Sequence, residues 1–512
     1  MAPNKIEALK DAKDGLDVLP DLYRYAVEGF EAIPADDLER LKWYGLFHRN
    51  ATPGYFMLRL RVPNGVLTSE QIAAIGEIAN RCGRGVADVT TRQNIQLRWL
   101  TIEDAPWVLQ RLAAAGLSSQ QSGMDNVRNI VGCPIAGLDP DELVDSRPLA
   151  ARLQQAIVGH KGFSNLPRKF NISVTGCRED CTRAQTNDLS FVPATLEVNG
   201  RPLTGFNVLV GGALGGQDPQ LAQPLDVFVE PRDLVPLATA ILATFRDHGP
   251  REKRQQARLK VLLRDWGIER FRAAVEQEVG TFLRRAGAPA LARHGGDHIG
   301  VTRQRQPGLN VVGCVVPVGR ISGDDLIEFG RLAATYGAGE LRLTVQQNVL
   351  IPEVPDNRLD GLLAEPLLQT LSPNPSPWLR SLVTCTGNDY CHFSLIDTKG
   401  EALKLARTLA DRYELDAPVR IQRSGCPHAC GQHRAGDIGL LGDRVRVGDE
   451  ILDAADVFAG GRLGEQATLG EPVATGVLTE DLPAVVVEQV RALRGEHALR
   501  SRQPDPVPVV VG

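Results

Sequence analysis

GYFMLRLRVPNGVLTSEQIAAIGEIANRCGRGVADVTTRQNIQLRWL, residues 54–100, has a second version in the same chain: GLNVVGCVVPVGRISGDDLIEFGRLAATYGAGELRLTVQQNVLIPEV, residues 308–354. Thr90, Gln93 and Asn94 of the first fall on Thr344, Gln347 and Asn348 of the second. Farther along, VRNIVGC ending at Cys133 matches LRSLVTC ending at Cys385, which sets Arg128 opposite Arg380. TGCREDC from Thr175 then matches SGCPHAC from Ser424. The three matches keep nearly one separation, about 250 residues, and self-similarity at a fixed distance constrains architecture more firmly than local propensity does. The chain is a duplication.

Within each copy, runs such as FMLRLRVP and VADVTTRQNIQLRWL predict strands. TSEQIAAIGEIANRC and GDDLIEFGRLAATYG carry helical spacing behind a capping Ser or Asp. Each copy is therefore expected to be α+β. The segment REKRQQARLKVLLRDWGIERFRAAVEQEV, from Arg251, is charged and helix-periodic with one internal glycine, and is expected to form the joint between the copies. The final RSRQPDPVPVVVG is Pro-rich and reads as an extended tail.

Composition narrows the class of function. A chain of 512 residues is too long for one core, and 43% hydrophobic with 23% charged residues describes an ordinary globular protein. No segment approaches the roughly 18 uninterrupted apolar residues of a membrane helix. The opening MAPNKIEALKDAKDGLDVLP has acidic residues throughout and no apolar core of a signal peptide, so the cytoplasm is the expected compartment. A net charge of −5 without a long basic run argues against nucleic acid. Nine cysteines, an odd number in a long chain, point to reduced thiols or metal ligands rather than a disulfide framework.

Four of those cysteines stand in two pairs: Cys385 and Cys391 in CTGNDYC, Cys426 and Cys430 in CPHAC. Four thiolates suit a [4Fe–4S] cluster, a four-cysteine zinc site or, more blandly, unligated core positions. Structural zinc favours tight two-residue knuckles in small metal-dependent domains, which are not seen here, yet spacing alone leaves all three open. The first copy has its own C-x3-C, Cys177 and Cys181, aligned with Cys426 and Cys430. With Cys133 they make three thiols rather than four and no C-x5-C accompanies them, so they read as small buried residues left by duplication. Cys82 and Cys314 read as core. Basic residues recur in TTRQN (Arg92), DNVRN (Arg128) and LPRKFN (Arg168 and Lys169). Taken singly, each would be ordinary surface charge or a salt-bridge partner.

The order C-x5-C then C-x3-C, in the second of two related halves, resembles the sirohaem-dependent nitrite and sulfite reductase family, and the similarity runs over about residues 41–493. The resemblance implies an α+β, internally duplicated fold: two ferredoxin-like half-domains plus two larger mixed α/β domains around sirohaem. The expected divisions are an N-terminal extension (1–50), the first half-domain (51–117), a first reductase domain with the substrate-side basic residues (118–250), a helical linker (251–300), the second half-domain (301–370), a second reductase domain with the cofactor ligands (371–500) and a tail (501–512).

By the same resemblance, Cys385, Cys391, Cys426 and Cys430 are the cluster ligands, and Cys430 also supplies the axial thiolate of the sirohaem iron. Arg92, Arg128 and Lys169 would bind the anionic substrate, while Arg168 and Gln93 would help hold the macrocycle. Arg92 is replaced by Gln346 in the second copy, as though one copy kept the substrate pocket and the other the cluster. His428 stands where the family usually has Asn, a departure that touches hydrogen bonding around the cluster and tunes potential rather than ligation.

Both substrates run on this scaffold, and Asn171 separates them. Sulfite reductases of the family usually read RKFK there, whereas this chain reads RKFN. A neutral amide suits monoanionic nitrite and a further ammonium suits dianionic sulfite. MDNVRNIVGCPIAGLDP also reads like the nitrite branch. The resemblance thus implies ferredoxin-dependent, six-electron reduction of nitrite to ammonium in nitrate assimilation. Assimilatory ferredoxin-dependent sulfite reductase is the alternative, and a structural zinc or cluster protein is the non-enzymatic one.

No G-x-G-x-x-G strand–turn–helix and no flavin segment is recognisable, so reduced ferredoxin is the expected electron donor. Arg380, Lys399, Lys404 and Arg407 are the basic residues considered for docking it. A monomer is expected.

Overall fold

The computed structural model describes residues 4–291, 293–294 (backbone only), 296–464 and 466–502. The chain divides into two compact units, Met1–Pro373 with Leu463–Ala467, and Asn374–Arg462 with Thr468–Gly512. Among the described residues no helix is long and apolar enough to cross a membrane.

In the first unit, the two versions of the opening repeat fold as related five-stranded sheets that exchange an edge. The strand Val66–Thr68 of the first copy leaves its own sheet and pairs with Glu340–Leu343 of the second. Reciprocally, Arg320–Ser322 pairs with Val86–Val89 of the first. Each exchanged strand runs into a helix. Ser69–Cys82 starts at a capping box in which the Thr68 hydroxyl accepts from the Gln71 N–H and the Gln71 side chain accepts from the Thr68 N–H. Gly323–Tyr336 starts at Ser322, whose hydroxyl accepts from the Asp325 N–H. The two helices bury Ile72, Ile75 and Ile78, and Leu326, Phe329 and Leu332, in one shared core. Their backbones meet closely at glycines, since a Cβ on Gly76 would lie 2.5 Å from the Gly323 carbonyl oxygen.

The remaining part of each copy is a mixed sheet, and the two sheets have one topology. In the first unit Val131–Gly132, Ile172–Val174 and Leu189–Val198 are parallel neighbours, and Arg201–Val210 and Gln223–Val229 continue antiparallel. In the second unit Leu382–Thr384, Ile421–Ser424 and Ile438–Val447 repeat the parallel part, followed by Glu450–Ala459 and Glu471–Leu478 antiparallel.

The charged segment from Arg251, expected as a joint, forms the helices Leu259–Trp266 and Ile268–Val279, broken at Gly267 with φ 76°. Their faces bury Leu259, Leu262, Phe271 and Val275 against the core of the first mixed sheet, with Phe170, Phe206 and Phe245. Of the Pro-rich end, Leu499–Ser501 pairs with Tyr413–Leu415, and residues 503–512 lie outside the described residues.

Candidate functional site

Three loops of the first unit carry the basic residues, and backbone bonds tie them together. The turn Thr90–Asn94 is closed by the Thr90 N–H donating to the Asn94 carbonyl at 2.9 Å, with Gln93 in the left-handed region at φ 50°. The Asn129 amide donates to the Arg92 carbonyl at 2.8 Å, and the neighbouring Arg128 N–H donates to the Phe170 carbonyl at 2.8 Å. The Arg92, Arg128 and Lys169–Asn171 segments are therefore brought together. The Arg92 guanidinium donates to Asn187 Oδ1. Arg128 donates through its two terminal nitrogens to the carbonyls of Ser122 (2.6 Å) and Met124 (2.9 Å). Burial first, and then the charges of Arg59 and Arg168, hold the Arg128 guanidinium well below its usual pKa. Gln93 is spent on the backbone: its amide donates to the carbonyls of Gly132 (2.8 Å) and Leu343 (3.1 Å) and accepts the Gly132 N–H. It holds the turn that presents Arg92.

Two buried carboxylates hold the residues on either side of Lys169, Arg168 and Asn171. Asp125 receives a two-pronged contact from Arg254 (2.7 and 2.9 Å), with Lys10 at 3.5 Å and Arg168 at 3.6 Å. Burial alone would raise the Asp125 pKa, but the Arg254 fork and the other cations more than reverse this and hold it below the ordinary range. Arg168 is lowered to about 10, by burial and by the Arg254 charge. On the other side, Asp188 accepts the Asn171 N–H at 2.8 Å and is clamped by Arg258 at 2.8 Å. Asn171 is itself 5% exposed.

In the second unit the four cysteines sit at the carboxyl ends of two parallel strands, where open α/β sheets bind ligands. Cys385 follows Leu382–Thr384, with Cys391 in the next loop, and Cys426 and Cys430 follow Ile421–Ser424. Cys385, Cys391 and Cys426 are half-buried and Cys430 is exposed. The Gly425 N–H donates to Cys385 Sγ at 3.2 Å, and His428 Nδ1 lies 3.4 Å from Cys426 Sγ. Burial raises the Cys385 thiol and pushes Cys426 up to about 12, with the other thiols of the group adding to both. Arg423, at the end of the same strand, is fully buried, and among the described residues none of its three guanidinium nitrogens has a hydrogen-bond partner.

A family model described as the nitrite and sulphite reductase 4Fe-4S domain matches residues 123–282 and 377–503, and the family's ferredoxin-like half domain matches 48–115 and 302–368. The chain belongs to the nitrite and sulphite reductase family. A ferredoxin–nitrite reductase of Synechococcus elongatus is 48% identical, covering 94% of this chain and 95% of that protein. A chloroplastic one of Zea mays is 44% identical, covering 92% and 85%. An assimilatory ferredoxin-dependent nitrite reductase of Haloferax mediterranei is 39% identical, covering 96% and 89%. Among solved structures, the Mycobacterium tuberculosis NirA protein superposes with a TM-score of 0.89 at 31% identity, covering 96% of this reductase and 93% of its own chain.

The reductase is an oxidoreductase whose cofactors are a [4Fe–4S] cluster and sirohaem. Its residues fit them. Four thiols at neighbouring strand ends are the donor set of a [4Fe–4S] cluster. A buried guanidinium without partners is costly unless an anion satisfies it, as the carboxylates of a sirohaem would at Arg423.

One basic residue considered for ferredoxin docking is corrected: Lys399 is 3% exposed, because it opens the helix Lys399–Arg412 with that turn packed inward. Lys404 and Arg407 of the same helix are exposed, and Arg380 is half-buried. Asp125, Asp188, Arg258 and Arg423 were not singled out from sequence, because a lone charged residue inside a strand or loop pattern carries no mark of its burial.

Proposed function

We propose that this chain is a ferredoxin-dependent nitrite reductase of nitrate assimilation, a cytoplasmic monomer that consumes six electrons and eight protons per nitrite and releases ammonium and two waters. The observation that carries this reading is the division of labour between the copies: thiols at the strand ends of the second unit, and a bracketed cationic loop at Arg168–Asn171 in the first. The names of the relatives support nitrite as substrate and ferredoxin as donor. Cys385, Cys391, Cys426 and Cys430 would hold the cluster, with the Cys430 thiolate shared with the haem iron. When bound, the two cofactors supply the electron path and the iron site at which nitrite is reduced.

The protein's own part is electrostatic. Lys169 and Arg92 donate charge-assisted hydrogen bonds to the nitrite oxygens, and Arg128 adds fixed positive charge from its half-buried place. As each N–O bond breaks, negative charge grows on the departing oxygen, and a prearranged ammonium stabilises it and relays a proton. Loss of one such donor costs about 2.7–4 kcal/mol of barrier. Arg168 and the Gln93 turn position these donors, and the neutral Asn171 keeps the site matched to a monoanion.

The test is an optical spectrum with iron and sulfide analysis of the purified protein, followed by nitrite and sulfite turnover with reduced ferredoxin. Haem and cluster absorption with preferential nitrite turnover is expected, and Cys430→Ser should lose both the haem bands and the activity. A colourless protein, or one that turns over sulfite in preference, overturns the reading.

A further inference from the structure

The first copy keeps thiols at the same strand ends where the second keeps its four. Cys133 follows Val131–Gly132, and Cys177 and Cys181 follow the parallel neighbour Ile172–Val174. All three are at most 1% exposed. The Cys177 sulfur lies 3.3 Å from that of Cys133 and 3.7 Å from that of Cys181. A fourth donor comes from a segment distant in sequence: His298 Nε2 lies 3.1 Å from the Cys181 sulfur. We propose that Cys133, Cys177, Cys181 and His298 bind one zinc ion.

Competing readings fit these distances less well. A disulfide needs sulfurs about 2.05 Å apart, so 3.3 Å is not a bond. A [4Fe–4S] cube separates its ligand sulfurs by about 6 Å, too wide for this group. The four downstream thiols, by contrast, form no such tight cluster among the described residues. Inert core thiols pack singly among apolar side chains, as Cys82 and Cys314 do, and have no reason to converge on an imidazole. Tetrahedral zinc with three thiolates and one imidazole puts sulfurs about 3.8 Å apart and sulfur to nitrogen about 3.5 Å apart; the Cys177 contacts with Cys133 and Cys181 and the His298 contact with Cys181 lie within about half an ångström of this, and the imidazole, which is not within 4.8 Å of all three sulfurs, would swing from Cys181 toward the ion.

The surroundings support a cation. A Glu179 carboxylate oxygen lies within 4.8 Å of the Cys181 sulfur and the His298 nitrogen. Its carboxylate accepts the Gly296 N–H at 3.2 Å, which fastens the segment carrying His298. Outer groups of this kind orient metal ligands. A cavity of about 190 Å³ reaches His298 and Glu179 and is also lined by Asp139, Asp141, Arg178 and Arg303, which gives the site an opening of mixed charge. Three of four positions would thus descend from the duplicated cluster motif, and the imidazole replaces the fourth. Bound zinc would staple the loop after Ile172–Val174 to the chain just before the strand Gly300–Arg303.

The experiment is elemental analysis of the intact holoprotein, made with zinc in the growth medium and kept reduced, in parallel with His298→Ala and Cys181→Ser. Wild type should carry about one zinc per chain in addition to its iron. Both variants should lose it while haem and cluster absorption persist. If Cys181→Ser does not fold, the half-exposed His298 gives the same readout with less disturbance. Wild-type protein without zinc, iron in excess of the cofactors in its place, or zinc fully retained in His298→Ala overturns the proposal.

Discussion

Asp125 has no exposed side-chain surface, yet it faces the cations of Arg254, Lys10 and Arg168. Removing the anion from such a group leaves buried charge uncompensated, so Asp125→Asn should cost about 3–5 kcal/mol at neutral pH. The sign with pH follows from the depressed pKa of Asp125: its stabilisation is present above the unfolded carboxylate pKa and is lost as pH falls through the lower folded value. The gap between wild type and Asp125→Asn in urea unfolding should therefore be wide at pH 7 and close below about pH 4. A gap that does not change with pH would show that the carboxylate is not the anchor. At Asn171 the question is specificity. On the proposed function, Asn171→Lys adds a charge near the anion, worth roughly 4 kcal/mol at about 4 Å and an effective dielectric of about 20, most of it offset by desolvation and by Lys169 and Arg92. The sulfite-to-nitrite ratio of kcat/KM with methyl viologen should rise about tenfold. A level ratio with both cofactors loaded would remove Asn171 as the discriminator.

Between elements, the exchanged strands and the paired glutamines bind the two half-domains to each other. Gln93 donates to the Leu343 carbonyl of the second copy, and Gln347 donates to the Val89 carbonyl of the first, each from a left-handed turn. Truncating Gln93 orphans buried backbone groups at Gly132 and Leu343, so Gln93→Ala should lower stability by about 1–3 kcal/mol. It should also raise KM for nitrite as the Arg92 turn loosens. Denaturant unfolding and steady-state kinetics read the two effects, and unchanged values in both would show that the turn holds itself. The repeat that contains these glutamines is plain in sequence. The exchange is not, because a strand's alternation reports which face is buried and not which strand lies beside it.

For the whole molecule, a net charge of −5 has to coexist with an acidic electron donor. Association of two net-negative proteins needs a local basic patch, and such steering weakens as salt screens it. Ferredoxin-supported turnover should fall several-fold between about 0.05 and 0.3 M salt, while methyl viologen-supported turnover stays nearly level. Charge reversal at the exposed Lys404 and Arg407 should reduce only the former. Equal salt dependence with both donors would point to an effect on the active site instead of docking.

By itself the sequence determined the duplication, the two helices that follow the exchanged strands, though their caps are Thr68 and Ser322 in the structure, the thiol pairs of the second copy and the segments that carry Arg92, Arg128 and Lys169. These are local signals, in which spacing and residue type carry the physics within a few residues. Only the tertiary structure decided that Lys399 turns inward, that Asp125 and Asp188 bracket the cationic loop, and that His298 reaches Cys181 of the first copy's thiol group, more than a hundred residues away in sequence. Burial and long-range approach depend on how separate segments pack, and a charged or imidazole side chain looks the same in sequence whether it meets water, a counter-ion or a metal.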